Sequence, residues 1–136
     1  MELNSYRALA LTFGRLLFGA VLLMGTAAHV VWAQAPAEIE ATLKQMLVAT
    51  ENRRLDAFVA QGDASFQADI TPAMFNNFSA QVGPRLRQGY TASFLTQLRQ
   101  QSYVVYVWKL EFKDGGDDIL FSLAVKGGKV GGFSLQ

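Results

Sequence analysis

The chain has 136 residues, 51% of them hydrophobic, with 12 Lys and Arg against 11 Asp and Glu, a single histidine and no cysteine. That length has room for one domain, and the lack of thiols excludes disulfides, thiolate nucleophiles and cysteine-ligated zinc sites. A charge balance this close to zero leaves no electrostatic footprint for nucleic acid or an anionic membrane.

Arg7 and Arg15 precede an unbroken apolar run from Leu16 to Met24, and weaker apolar character continues through Val31. This is the layout of a secretory signal, a basic stretch and then a short hydrophobic one. The run is short for a membrane span of about 20 residues. Val31 and Ala33 meet the small-residue requirement at −3 and −1, and cleavage after Ala33 leaves Gln34 first. Cleavage after Ala35 would instead leave Pro36 at the scissile bond. The expectation is a signal over 1–33 and a single domain over 34–136. The domain would be periplasmic or secreted, with no stable membrane anchor after processing. An uncleaved anchor is the alternative. The signal removes Arg7, Arg15, Glu2 and the only histidine, His29. What remains is formally neutral and has neither His nor Cys.

Residues 34–61 read as helix. Ile39, Leu43, Met46 and Leu47 form one stripe, while Val48, Leu55 and Val59 form another on nearly the opposite side. Either one long helix is buried on two faces, or the chain breaks near Glu51-Asn52. Gly62 is a C-terminal stop, and 63–70 read as a loop anchored by Phe66. Thr71 and Pro72 make a helix start, with Thr as N-cap and Pro in the first turn. Met74, Phe75, Phe78 and Val82 follow as a stripe, and Pro84 should end or kink the helix at Gly83.

The remainder is strand-like. Tyr90 to Arg99 alternates loosely. Tyr103 to Lys113 alternates cleanly, with Val104, Tyr106, Trp108, Leu110 and Phe112 on one face and Lys109, Glu111 and Lys113 on the other. Asp114-Gly115-Gly116-Asp117 and Gly127-Gly128 are turns. They separate strands at Asp118–Lys126, where Ile119, Phe121, Leu123 and Val125 share a face, and at Lys129–Leu135. The expected fold class is α+β: two or three N-terminal helices packed on a curved, four-stranded antiparallel meander.

Several segments resemble a known group. They are Thr71-Pro72-Ala73-Met74-Phe75, Gly83-Pro84-Arg85-Leu86, Gly89-Tyr90, Tyr106-Val107-Trp108-Lys109-Leu110, the run from Phe112 to Asp118, and the run from Lys126 to Phe133. In element order and turn placement, most of 36–136 resembles the uncharacterised secreted proteins of the nuclear-transport-factor-two-like superfamily, also called cystatin-like α+β. The resemblance implies a curved sheet wrapped on helices as a cone able to hold a ligand. It implies no single function, since members include isomerases, dehydratases and non-enzymes.

Without His or Cys, the domain lacks imidazole bases, Ser-His and Cys-His nucleophile pairs and the common zinc sites. No metal and no cofactor is expected. An isomerase-like site in the resembled fold would need an Asp base with Tyr and a protonated Asp. The apolar sheet face offers Tyr90, Tyr106 and Trp108 but no carboxylate. These three are the candidate lining of a pocket for a small apolar ligand, since Tyr and Trp carry polar tips that need partners when buried. Asp114, Asp117 and Asp118 are too closely spaced for an EF-hand calcium loop and read as a solvated turn. Arg85 and Arg87 are a helix-end pair or an anion clamp. The opposite sheet face carries Leu95, Val105, Val107, Leu120 and Ala124 where a solvated face should be polar. Leu95, Val105, Val107 and Leu120 are therefore candidates for a homodimer interface packed sheet to sheet, a pairing the resemblance also implies. The favoured function is an exported, non-enzymatic binding or interaction domain. The alternatives are a small-molecule enzyme of isomerase or dehydratase type using carboxylate and tyrosine groups, and an accessory subunit of an envelope assembly.

Overall fold

A computed structural model of the chain describes residues 33–136. The signal expected over 1–33 and its cleavage fall outside the described residues, save for Ala33 itself. Among the described residues four helices come first: α1 (Ala37–Glu51), α2 (Leu55–Val59), α3 (Ala64–Asp69) and α4 (Pro72–Arg87). Four strands follow: β1 (Tyr90–Gln100), β2 (Tyr103–Phe112), β3 (Ile119–Lys126) and β4 (Lys129–Leu135). They form one antiparallel sheet in sequence order, the expected meander.

The open question near Glu51-Asn52 resolves as a break. Arg53 takes φ 54°. Its N–H donates to the Thr50 carbonyl at 3.2 Å, and the Arg54 N–H donates to the Ala49 carbonyl at 2.8 Å. This is a Schellman ending with arginine in the left-handed position that usually takes glycine. Arg87, from α4, donates to the Glu51 carbonyl at 2.8 Å and caps the same helix end. The first stripe of α1 is core: Ile39, Leu43, Met46 and Leu47 are all buried. Val48, from the second stripe, is exposed.

The expected loop over 63–70 contains α3. Asp63 is its N-cap and accepts the Phe66 N–H at 2.8 Å. Thr71 caps α4 as expected, accepting the Met74 N–H at 3.2 Å. Pro84 does not end that helix, which runs on to Arg87. Gly83 is buried where α4 packs on α1, and a Cβ there would stand in ordinary van der Waals contact, 3.4 Å from the Thr50 carbonyl oxygen.

The sheet presents Tyr106, Trp108, Leu110 and Phe112 of β2 and Phe121, Leu123 and Val125 of β3 to the core, all buried. Phe58, Phe66, Phe75, Phe78 and Phe133 close one end of that core. The Phe58 ring lies 5.1 Å from Phe75 and 5.3 Å from Phe133, centroid to centroid. The loose alternation of β1 has a cause. Phe94 pairs with Trp108 but Thr96 pairs with Val107, so Leu95 is the extra residue of a bulge. Before the bulge, Ala92 and Phe94 share the core side of the sheet. After it, Thr96 and Leu98 pair with the outward residues Val107 and Val105.

Candidate functional site

The three pocket candidates differ in burial. Trp108 is completely buried, between Phe94 at 5.8 Å and Tyr106 at 6.2 Å. Tyr106 is also buried, so both act as core rings. Tyr90 is half-buried at the start of β1. Burial, and after it the Glu51 carboxylate, push its phenol above the ordinary tyrosine value, so it stays protonated at neutral pH.

The polar partner of the Trp108 indole is Glu40. The indole N–H donates to Glu40 Oε1 at 3.1 Å, joining the first turn of α1 to the middle of β2. The sequence shows no carboxylate on the apolar sheet face; Glu40 reaches that face from α1. Two signals pointed to one. A buried tryptophan needs an acceptor, and Glu40 flanks the core stripe of α1 between Ile39 and Leu43.

Glu40 stands where two hollows meet. One, of about 340 Å³, is lined by Glu40, Leu43, Lys44, Leu47, Tyr90 and Ala92. The other, of about 430 Å³, is lined by Ala33, Gln34, Glu40, Ala92, Ser93 and Phe94. Together they form a trough along the first half of β1 beside α1. Ala92 is on the core side of the sheet, opposite Leu110, yet it is exposed. Among the described residues no cationic side chain pairs with Glu40. Lys44 lines the same hollow without forming an ion pair with it.

A larger hollow of about 800 Å³ lies between α1 and α2, with Lys44, Gln45, Val48, Asn52, Arg54 and Gln61 in its lining. It has no acid and no aromatic group, and Arg54 is already held by Asp56 at 2.8 Å. Size alone gives it no chemistry. Of the arginines read from the sequence as a helix-end pair or anion clamp, Arg85 is also committed. Its Nε donates to Asp114 at 2.7 Å, its terminal nitrogen donates to the Asp117 carbonyl at 2.6 Å, and its guanidinium lies 3.9 Å over the Phe112 ring. It ties the β2–β3 turn to the end of α4. The hydrogen bond from Arg85, reinforced by the Gly116 N–H, holds the Asp114 carboxyl below its usual range. Among the described residues no group of three or more His, Cys, Asp or Glu is placed to hold a metal ion. No helix among them is long and apolar enough to cross a membrane.

The interface candidates lie on the other side of the sheet or at its bulge. Leu95 (49%) and Leu120 (41%) are exposed, and Val105 and Val107 are half-buried. Leu98 (45%) belongs with them and was missed, because the bulge reverses the alternation from which its face was read. Cross-strand register assembles two uncharged rows: Leu98, Val105, Ala124 and Gly132, then Thr96, Val107, Ser122 and Ser134. The Ser122 and Ser134 hydroxyls bond each other at 2.6 Å. Charge is confined to the ends of this face. Lys126 lies beside the Tyr103 ring at one end. At the other, Lys109 pairs with Glu111 at 3.2 Å and Asp118 at 4.0 Å.

The chain is similar to a solved structure described as an uncharacterized cystatin fold protein from Novosphingobium aromaticivorans. The two are 16% identical, the match covers 75% of this chain and 99% of that one, and the TM-score is 0.40. No family model matches the chain, and no curated protein does. The described elements, helices followed by a four-stranded antiparallel meander, are the α+β architecture that the sequence resemblance implies.

Proposed function

We propose that this chain is exported, is processed after Ala33, and serves as a non-enzymatic interaction domain in the periplasm or outside the cell. In this reading it pairs with a second copy through the outer face of its sheet. The observation that carries the reading is the pair of uncharged cross-strand rows centred on Val105 and Val107. A sheet face left in water is ordinarily polar. Within the two rows Leu98, Val105, Val107 and Ala124 adjoin as an apolar patch beside the polar Thr96, Ser122 and Ser134, and contiguous apolar surface is characteristic of contacts. The charge at the two ends supports a second copy as the occupant. A two-fold axis through the face with the strands running oppositely sets Lys126 of each copy near Glu111 and Asp118 of the other.

The filled core supports binding over catalysis. Trp108, Leu110, Phe121 and Leu123 leave no exposed surface inside the domain. The isomerase or dehydratase alternative draws on Glu40 and Tyr90, which share a hollow. However, the carboxylate is engaged by an indole and the phenol is pushed away from neutral titration. Neither arrangement favours proton transfer.

Light scattering at high micromolar concentration tests the pairing. The expected result is a dimer that becomes a monomer in Val107→Lys, with the circular dichroism spectrum unchanged. Monomeric wild type at that concentration overturns the proposal. A dimer that survives Val107→Lys places the contact on another surface.

A further inference from the structure

The trough at Glu40 borders a second unused feature, the free edge of β1. The sheet order leaves β1 with a single neighbour, β2. The far edge of β4 is partly covered: the Asp63 N–H donates to the Val130 carbonyl at 2.9 Å, and the Val130 N–H donates to the Gln61 carbonyl at 3.0 Å. Nothing among the described residues does the same for β1. Which of its backbone groups are free follows from the ladder. The Lys113 N–H donates to the Gly89 carbonyl at 2.9 Å. Hydrogen-bonded pairs alternate along an antiparallel ladder, so Thr91 with Glu111 and Ser93 with Lys109 are the next bonded pairs. Tyr90, Ala92 and Phe94 therefore turn their N–H and C=O groups away from β2.

Natural sheets protect such edges with charge, proline or cover. From Tyr90 to Leu98, β1 has no charged residue and no proline. Its one irregularity, the bulge at Leu95, interrupts the ladder and so limits the regular free edge to about Tyr90–Phe94. The residues whose backbone groups are free also line the trough, and Glu40 stands in its middle.

We propose that the β1 edge accepts an extended peptide segment of a partner protein as an added strand, and that Glu40 selects a basic side chain at its centre. Backbone bonds from Ala92 and Phe94 supply sequence-independent affinity, as in other strand-addition complexes. A peptide residue set beside Ala92 with its side chain on the helix side of the sheet comes against Glu40. That carboxylate accepts one indole bond and has no cationic side-chain partner among the described residues; in the chain processed after Ala33 the Gln34 ammonium would share its hollow and compete with the peptide's cation. A carboxylate has lone pairs for several donors, so a lysine or arginine completes the set without displacing Trp108. Ala92 leaves room, since a larger side chain there would fill the trough. The site is separate from the outer face, and Val107→Lys leaves it untouched.

The test uses ¹⁵N-labelled protein and an acetylated, amidated pentapeptide, threonine-valine-lysine-valine-threonine. Two controls accompany it: the same peptide with glutamate at its centre, and one with its backbone N-methylated at all five residues. Titration to millimolar concentration should move the Ala92 and Phe94 amide signals and the Trp108 indole signal. The lysine peptide should bind at least about five-fold tighter than the glutamate peptide, and N-methylation should abolish binding. Glu40→Gln should remove the preference while leaving the amide shifts. Lys44→Gln, which removes a competing cation, should not weaken binding. Absence of shifts at Ala92 and Phe94 overturns the proposal, as does equal binding of the two charge variants by the wild type. Butylamine moving the Trp108 signal as strongly as the peptide, with the amides still, would also overturn it in favour of a simple cation site.

Discussion

Trp108→Ala removes the side chain on which the sheet and α1 meet. Trp108 is fully buried, packs against Phe94 and Tyr106, and donates to Glu40. Truncating a buried large aromatic costs about 3–5 kcal/mol. Two local features adjust that figure in opposite directions. The two aromatic contacts add about 0.5–1.5 kcal/mol beyond area. Against this, Glu40 opens onto solvent-filled hollows, so water can re-solvate its carboxylate once the indole is gone. The expected loss is therefore about 3–4 kcal/mol, a large share of the roughly 5–15 kcal/mol typical of a domain. At a urea dependence of about 1–3 kcal/mol per M, the midpoint falls by about 2 M. Far-ultraviolet circular dichroism is the suitable probe, because the substitution removes a tryptophan signal. A loss below about 1 kcal/mol would refute the reasoning, since the ring would then not lie in the core. Trp108→Phe separates packing from polarity. In that background Glu40→Gln should cost nothing, whereas in the wild type it should cost on the order of 1 kcal/mol, because a hydrogen bond to a charged group becomes one to a neutral group.

Three further outcomes follow from individual contacts. Arg85 lowers the Asp114 carboxyl in the fold below its ordinary 3.8. Its stabilising contribution is therefore complete above that pH and is lost as pH falls through the lowered value. Acid titration of stability should be less steep below about pH 3.8 in Asp114→Asn than in wild type; identical slopes would exclude the pairing, and Asp56, shifted the same way by Arg54, contributes equally to both curves. Ser79 is completely buried and its hydroxyl has no hydrogen-bond partner among the described residues. Ser79→Ala should therefore stabilise by roughly 1 kcal/mol in denaturant melts, and any destabilisation would mean the hydroxyl is satisfied. Gln101 and Ser102 turn the β1–β2 hairpin with φ 47° and 71°, so replacing them by Asn and Gly should raise stability on the order of 1 kcal/mol, and an unchanged midpoint would place no strain there.

How much of this was legible depended on whether the signal was local. The alternation of β2 and β3, the Gly127-Gly128 turn and the Thr71-Pro72 start could be read because each is fixed by residues within a few positions. The end of α1 could not, because Arg53 occupies a left-handed position where glycine would have announced the stop. Pro84 misled for the opposite reason. Its local bias against helix is overridden as α4 continues to Arg87 and packs on α1. Arg85 and Glu40 were ambiguous for a third reason. Their partners, Asp114 and Trp108, lie 29 and 68 residues away in sequence. A long-range hydrogen bond leaves no periodicity behind. The demand of a buried indole for an acceptor was readable, but the identity of that acceptor needed the packing of α1 on the sheet.

The bulge at Leu95 links the two proposed contact surfaces. Without it, β1 would keep one parity along all eleven residues, and a single face assignment would hold from Tyr90 to Gln100. Continuing the parity of Ala92 and Phe94 would then put Leu98 on the core side, where the helices would have to cover it. One inserted residue changes the face midway. The half before it keeps Ala92 and Phe94 on the side of α1 and leaves their backbone groups along a trough with a carboxylate in it. The half after it delivers Leu98 to the outer row beside Val105. The same strand thus serves an edge in its first half and a face in its second. The two contacts differ in kind: an edge supplies directional backbone bonds and a face supplies apolar area. Their responses to perturbation should differ accordingly, with the edge sensitive to backbone methylation of its ligand and the face sensitive to charge at Val107. A single surface serving both contacts could not separate those two responses.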